Sequence, residues 1–194
     1  MIETGIYGGT FNPPHLAHTA LAACICNLEC LDEVWLMVSP LNPLKANHPN
    51  LLPENTRLRL VQLAVADDSR LKASDFEFRL SRPSYTAHTL AALRSSYTRR
   101  RFSLIIGADN WADFPAWRDG DDILSHHSIF IYPRRGYSVN HAVLPEGVKL
   151  VDAPLYDLSS TELRRCIARG GDASYGLHPN VWREIRAKRY YLND

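Results

Sequence analysis

The segment Gly8-Gly9-Thr10-Phe11-Asn12-Pro13-Pro14-His15-Leu16-Ala17-His18 brings together two glycines, a hydroxyl and two imidazoles. That set suits phosphate. Adjacent glycines let the chain turn tightly and let backbone amides approach an anion closely. If a helix starts just beyond them, its unsatisfied N–H groups and the positive end of its dipole face the same place. His15 and His18, at i and i+3, then share one face of the first turn and point at the same phosphates. The competing reading is a glycine turn with two incidental surface histidines.

Two further stretches carry candidate chemistry. Asp109, in Gly107-Ala108-Asp109-Asn110, directly follows an apolar run and is placed to accept from ribose hydroxyls. A helix N-cap would also explain an acidic residue there, and the two readings are compatible. Near the C-terminus Ser159 precedes Glu162 by three residues, the capping-box spacing. Leu163, Cys166 and Ile167 continue it as an apolar face that Gly170 and Gly171 end. A last helix is expected to start at Pro179 and to bury Val181, Trp182 and Ile185.

The elements that must position these residues alternate along the chain. Candidate strands are Gly5 to Tyr7, Glu33 to Val38, Leu71 to Phe76, Phe102 to Gly107, Ser128 to Tyr132 and Val148 to Val151, each short and rich in branched or aromatic residues. Between them lie helical stripes: Leu21, Cys24 and Leu28; Leu58, Val61 and Val65; Leu90, Leu93 and Tyr97. Strand and helix in alternation predict a doubly wound α/β fold, a parallel sheet with helices on both faces. Ligands in such sheets bind at the carboxyl ends of the strands near the switch in strand order, so the loops that follow strands are where chemistry is expected.

Composition sets outer bounds. The chain has 194 residues, 45% hydrophobic, enough for one substantial core and a single domain. Lys plus Arg number 22 against 21 for Asp plus Glu, so no global field favours nucleic acid or membrane, while a small anion needs only local donors. Of the four cysteines, Cys24, Cys26 and Cys30 are expected in one helix without paired metal-site spacing. Buried reduced thiols and no metal cluster are therefore expected. The longest apolar run, Ala20 to Cys26, is too short to span a bilayer, and residues 1–14 lack a signal-peptide pattern. A cytoplasmic protein is expected, with room for a homo-oligomer that the sequence does not specify.

The first segment resembles the GG(S/T)F(D/N)PxHxGH signature of the HxGH adenylyltransferases, specifically bacterial nicotinate mononucleotide adenylyltransferases. Leu158-Ser159-Ser160-Thr161-Glu162-Leu163-Arg164 resembles that family's ISSTxxR, and Gly107-Ala108-Asp109-Asn110 its GxDN element. The three motifs occur in order and span nearly the whole chain. The resemblance implies a Rossmann-like fold over 1–194, with the helical part 159–194 completing an ATP site. It also implies transfer of AMP from ATP to nicotinate mononucleotide.

On that resemblance His15, His18 and Arg164 are the catalytic donors, with His18 the one at the transition state. Gly8, Gly9, Thr10, Phe11, His18, Gly107, Asp109, Ser159, Ser160, Thr161 and Arg164 surround ATP. Ser160, Thr161 and Arg164 would cradle the β- and γ-phosphates. Ser84-Tyr85-Thr86-Ala87-His88-Thr89-Leu90 is similar to the family's SYTxDTL, which makes Tyr85 and Thr86 acceptor-binding residues. Trp117 corresponds to an aromatic that stacks on the pyridine ring; a core tryptophan is the competing reading. Lys45 stands where the family has a phosphate-binding lysine. Mg2+ should accompany ATP, held by phosphates and water without a protein cage.

Three positions depart from the family pattern: Ala17 for glycine, Leu44 for the histidine before the lysine, and His88 for aspartate. Alternatives are a pantetheine-phosphate adenylyltransferase, a related cytidylyltransferase, and a catalytically silent nucleotide-binding module.

Overall fold

The computed structural model describes residues 1–40 and 51–192. Six strands, β1 (Ile2–Gly9), β2 (Glu33–Val38), β3 (Leu71–Ser74), β4 (Arg100–Gly107), β5 (Ile129–Tyr132) and β6 (Val148–Leu150), form one parallel sheet in the order β3-β2-β1-β4-β5-β6. Among the described residues seven α-helices accompany them: α1 (Leu16–Leu28), α2 (Glu54–Ala64), α3 (Thr86–Ser96), α4 (Ala108–Asp113), α5 (Gly120–His126), α6 (Ser160–Ala168) and α7 (Pro179–Lys188).

Both faces of the sheet are apolar, and the strands alternate accordingly. Tyr7, Leu36 and Ile105 join the layer of α1 and α2, while their neighbours Ile6, Trp35, Met37, Leu104 and Ile106 join that of α3 and α5. A third cluster packs Leu60 and Ala64 of α2 on Leu163, Ile167, Val181 and Ile185, which docks α6 and α7 beside the layer of α1 and α2. Each such fully buried Leu or Ile contributes about 2 kcal/mol.

The six expected strands are all present, but two helical stripes turn differently from the expected one. In α1 the buried residues are Ala17, Leu21, Ala22, Ile25 and Cys26, while Leu28 is exposed and Cys24 half-buried. An all-apolar run has no polar face to fix its phase. Cys30 lies past the helix end, exposed and in the left-handed region at φ 51°. Tyr97 caps α3 and is exposed rather than continuing its buried stripe. The third strand stops at Ser74, because residues 76–79 wind into a 3-10 turn that buries Glu77.

The strand order reverses between β1 and β4. Those strands pair from Ile2↔Arg100 to Tyr7↔Ile105, whereas β1 stays paired with β2 as far as Gly9↔Val38 and β4 with β5 as far as Gly107↔Tyr132. A crevice therefore opens between Gly9 and Gly107, where the topology of such sheets puts ligands.

Candidate active site

The turn from β1 into α1 is held from several sides. Phe11 has φ 48° although it carries a side chain, an arrangement that persists only when its surroundings enforce it. Its buried ring meets Tyr7 and His18 edge-on, with centroids 5.8 and 5.0 Å away. A Cβ on Gly9 would lie 2.8 Å from that ring, so any side chain there would have to displace it. From beneath, the Arg57 guanidinium donates to the carbonyls of Thr10 (2.7 Å), Leu52 (2.9 Å) and Pro40 (3.1 Å). From α6, Arg164 donates to Asn12 O at 2.8 Å and Ser160 Oγ to Pro13 O at 2.9 Å. Tyr191 adds a 2.9 Å bond from its hydroxyl to Asn12 Oδ1. The two motifs that the sequence places at opposite ends of the chain are thus hydrogen-bonded to each other.

The two imidazoles stack, with centroids 3.6 Å apart and planes inclined by 22°. The backbone N–H of His15 donates to His18 Nδ1 at 3.1 Å, which leaves the proton of a neutral His18 ring on Nε2. His15 is buried, and burial, reinforced by the Arg134 charge, pulls its pKa down to about 4. His15 is therefore a neutral imidazole near neutral pH. Its linkage to folding has a definite sign. Between pH 6.5 and about 4 the unfolded chain protonates this residue and the folded chain does not, so stability falls on acidification through that window. In denaturant titrations from pH 7 to pH 5, His15→Gln should remove roughly one proton's worth of that slope. Equal slopes in the two proteins would contradict it.

His15, Ala17 and His18 line a cavity of about 390 Å³ that also receives Asp109 from α4, Tyr132 and Arg134 from the end of β5, and Ser159 and Glu162 from the start of α6. Ser159 caps α6 as expected, its Oγ accepting from Glu162 N at 3.2 Å. Asp109 is half-exposed in the first turn of α4, 3.8 Å from Arg134 Nε. A Cβ on Gly107 would overlap the Asp109 carboxylate, so this glycine keeps the acid close to the strand end. Arg134 lies over the Tyr132 ring at 5.1 Å and donates to its hydroxyl at 3.1 Å. That leaves a concave space lined by imidazole and guanidinium donors, with the Asp109 carboxylate on its β4 side and Asp157 and Glu162 toward α6, suited to a phosphorylated nucleoside. Ala17 puts its methyl on the wall of that cavity.

Expected acceptor residues fall apart from this cavity. Thr86 is the first residue of α3 and Tyr85 its N-cap. The Arg118 guanidinium lies 4.9 Å over the Tyr85 ring, and His88 pairs with Asp119 at 3.3 Å. Trp117 is half-buried with its ring 5.3 Å from Phe114, which combines packing with partial exposure, and Trp111 stacks on Phe114 from the other direction at 5.0 Å. Thr161 is exposed on α6. Lys45 and Leu44 lie outside the described residues.

Three contributors were not anticipated. Arg134 follows β5 in Pro133-Arg134-Arg135-Gly136, and a basic pair after a strand at the carboxyl edge was a readable signal. Arg57 gave none, since an arginine on a helix ordinarily faces water. Glu77 gave none either, because it follows the expected strand Leu71 to Phe76 and nothing local marks the 3-10 turn that buries it.

With this geometry in view, comparison with known proteins is direct. The cytidylyltransferase-like family model matches residues 6–166. A Bacteroides thetaiotaomicron protein named "probable nicotinate-nucleotide adenylyltransferase" is 51% identical over 185 residues, covering 95% of this chain and 91% of the relative. A Porphyromonas gingivalis protein of the same name is 42% identical over 175 residues, covering 90% and 88%. The solved structure of Plasmodium falciparum nicotinic acid mononucleotide adenylyltransferase complexed with NaAD superposes with a TM-score of 0.81 at 20% identity, over 100% of this chain and 99% of that one, and so shares the fold. The chain that brings a glycine-rich turn, paired imidazoles and a capped helix together at the switch point of its 3-2-1-4-5-6 sheet therefore belongs to the cytidylyltransferase-like family, alongside relatives that carry the nicotinate-nucleotide adenylyltransferase name.

Proposed function

We propose that the protein transfers the adenylyl group of ATP to nicotinate mononucleotide, forming nicotinate adenine dinucleotide and pyrophosphate, a step of NAD biosynthesis. The observation that carries the reading is the pair of stacked imidazoles sharing one cavity with Arg134 and the start of α6. A phosphate oxygen of the acceptor attacks the α-phosphorus of ATP, and the bond from that phosphorus to the bridging oxygen of the β-phosphate breaks as pyrophosphate leaves. No protein nucleophile is needed. Catalysis rests on holding two polyanions in line and stabilising the charge that moves onto their oxygens.

His18 Nε2–H serves as the donor to the reacting phosphate, with neutral His15 stacked behind it. Gly8, Gly9, Thr10 and Phe11 offer backbone amides, Asp109 accepts from the ribose, and the N-terminal turn of α6 with Ser159, Ser160 and Thr161 receives the outer phosphates. In this chain Arg164 acts through Asn12, holding the turn, while Arg134 supplies the cation on the cavity wall. Residues 159–192 thereby complete the ATP site. A divalent ion such as Mg2+ would screen the triphosphate charge. Among the described residues no three His, Cys, Asp or Glu side chains converge into a metal cage. The half-exposed Asp109 and the Glu162 carboxylate on the cavity wall suit an ion carried in by phosphates and water.

The acceptor's ring would stack on Trp117, with its carboxylate at the start of α3. Trp117→Ala should then raise the acceptor KM about tenfold, the scale of one lost stacking contact, with the ATP KM unchanged. Parallel shifts in both KM values would contradict that placement. The function itself is tested by incubating the protein with ATP, Mg2+ and one acceptor at a time and following pyrophosphate. Release with nicotinate mononucleotide is expected. Release only with phosphopantetheine or only from CTP would overturn the substrate assignment, and none with any acceptor would indicate a silent module.

A further inference from the structure

Glu77 is a buried carboxylate whose hydrogen bonds among the described residues come from hydroxyls. Thr89 Oγ1 donates to Oε1 at 2.8 Å and Ser39 Oγ to Oε2 at 3.0 Å, while the Ser84 hydroxyl also favours the charged carboxylate. Burial pushes its carboxyl above the usual range and the three hydroxyls oppose that shift. Burying a carboxylate costs several kcal/mol unless it is well paired, so its persistence calls for a reason. Its partners supply one. Ser39 follows the last residue of β2 at the carboxyl edge of the sheet, Ser84 immediately precedes Tyr85, and Thr89 lies in the first turn of α3. One side chain therefore fixes where α3 begins relative to the sheet edge.

We propose that Glu77 is a positioning residue for the acceptor: by joining Ser39 to Thr89 it sets the Tyr85–Thr86 start of α3 against the end of β2 and so tunes acceptor affinity without touching substrate. This rests on the acceptor placement given above. The test is steady-state kinetics of the full chain with ATP and nicotinate mononucleotide, together with amide exchange of residues 85–89 in the free protein.

Glu77→Leu fills the space and leaves the Ser39 and Thr89 hydroxyls without their acceptor. It should raise the acceptor KM about tenfold, the cost of one buried polar group left unpaired, with kcat within about twofold and the ATP KM unchanged. Exchange in the first turn of α3 should quicken by a similar factor. Glu77→Gln should recover to within about threefold of wild type, because rotating hydroxyls can pair with either end of an amide. A purely structural role would lower the folded fraction and leave both KM values alone; that result, or equal rises in both, overturns the proposal. Should Glu77→Leu not fold, Thr89→Val removes one donor at constant shape and should raise the acceptor KM about threefold, and an unchanged value overturns the proposal. Wild-type protein that releases no pyrophosphate would count against the catalytic reading separately, and the exchange measurement would still decide the role of Glu77.

Discussion

Replacing His18 by alanine should lower kcat about a hundredfold to a thousandfold, or 3 to 4 kcal/mol of barrier, while ATP affinity changes by less than about threefold. The expectation follows from what this imidazole does in the ground state and what it does later. Its Nδ1 accepts from the His15 backbone N–H, so a neutral ring carries its proton on Nε2, and His18 lines the cavity. Such a donor gains little from a resting triphosphate already surrounded by amides and cations. Its hydrogen bond strengthens as charge shifts onto the transferring phosphate, and only such a difference accelerates the chemical step. The variant also loses the bond to His15 N and the stacked ring, so some stability goes with it, about 1 kcal/mol. Single-turnover rates and equilibrium ATP binding on the folded variant separate the two effects. A loss of ATP affinity as large as the loss in rate would mean that His18 merely binds.

Arg57→Met should destabilise the fold by about 3 kcal/mol and lower Tm by roughly 10 °C. Two terms oppose each other. Arg57 is 1% exposed, burial lowers its pKa, and among the described residues no carboxylate pairs with it, so removing the charge relieves a desolvation penalty. Against that, methionine strands the carbonyls of Thr10, Pro40 and Leu52, each at about 1 to 3 kcal/mol. Three stranded acceptors outweigh one relieved charge whose hydrogen bonds were already good. The Thr10 carbonyl adjoins the left-handed Phe11, so the turn should loosen first and ATP affinity should fall further than the stability loss alone explains. Thermal unfolding followed by circular dichroism decides the sign. A Tm that is unchanged or raised would show that the buried charge costs more than its three bonds return.

The architecture was legible because a parallel sheet covered on both faces writes itself as short branched runs between helical segments. Glu33–Val38 matches its predicted bounds, and the capping pair Ser159 and Glu162 and the helix-opening Pro179 work locally, without help from the rest of the chain. The phase of α1 was not legible, since Ala20 to Cys26 is apolar all round and only the neighbours that pack on it select Ile25 over Cys24. Of the site, the motif residues could be named, but not what they bond to. Arg164 reads as a phosphate ligand and is found donating to Asn12 O, a contact across most of the chain length that no local pattern encodes. Arg57 and Glu77 were illegible for the same reason: their burial is decided by the tertiary packing of a helix and of a 3-10 turn. The departure at His88 shows how such a change is absorbed, by a pairing with Asp119 at the exposed start of α5.

The central claim is that the adenylyl group, and no other part of ATP, moves to the acceptor within this cavity. It is tested most directly with ATP labelled in its α-phosphate or, in a parallel reaction, in its γ-phosphate, each incubated with the protein, Mg2+ and nicotinate mononucleotide. The α-label should appear in a dinucleotide and the γ-label in pyrophosphate, in equal amounts. A γ-label found on the acceptor, or an α-label that stays in ATP or is released as free AMP, would contradict adenylyl transfer.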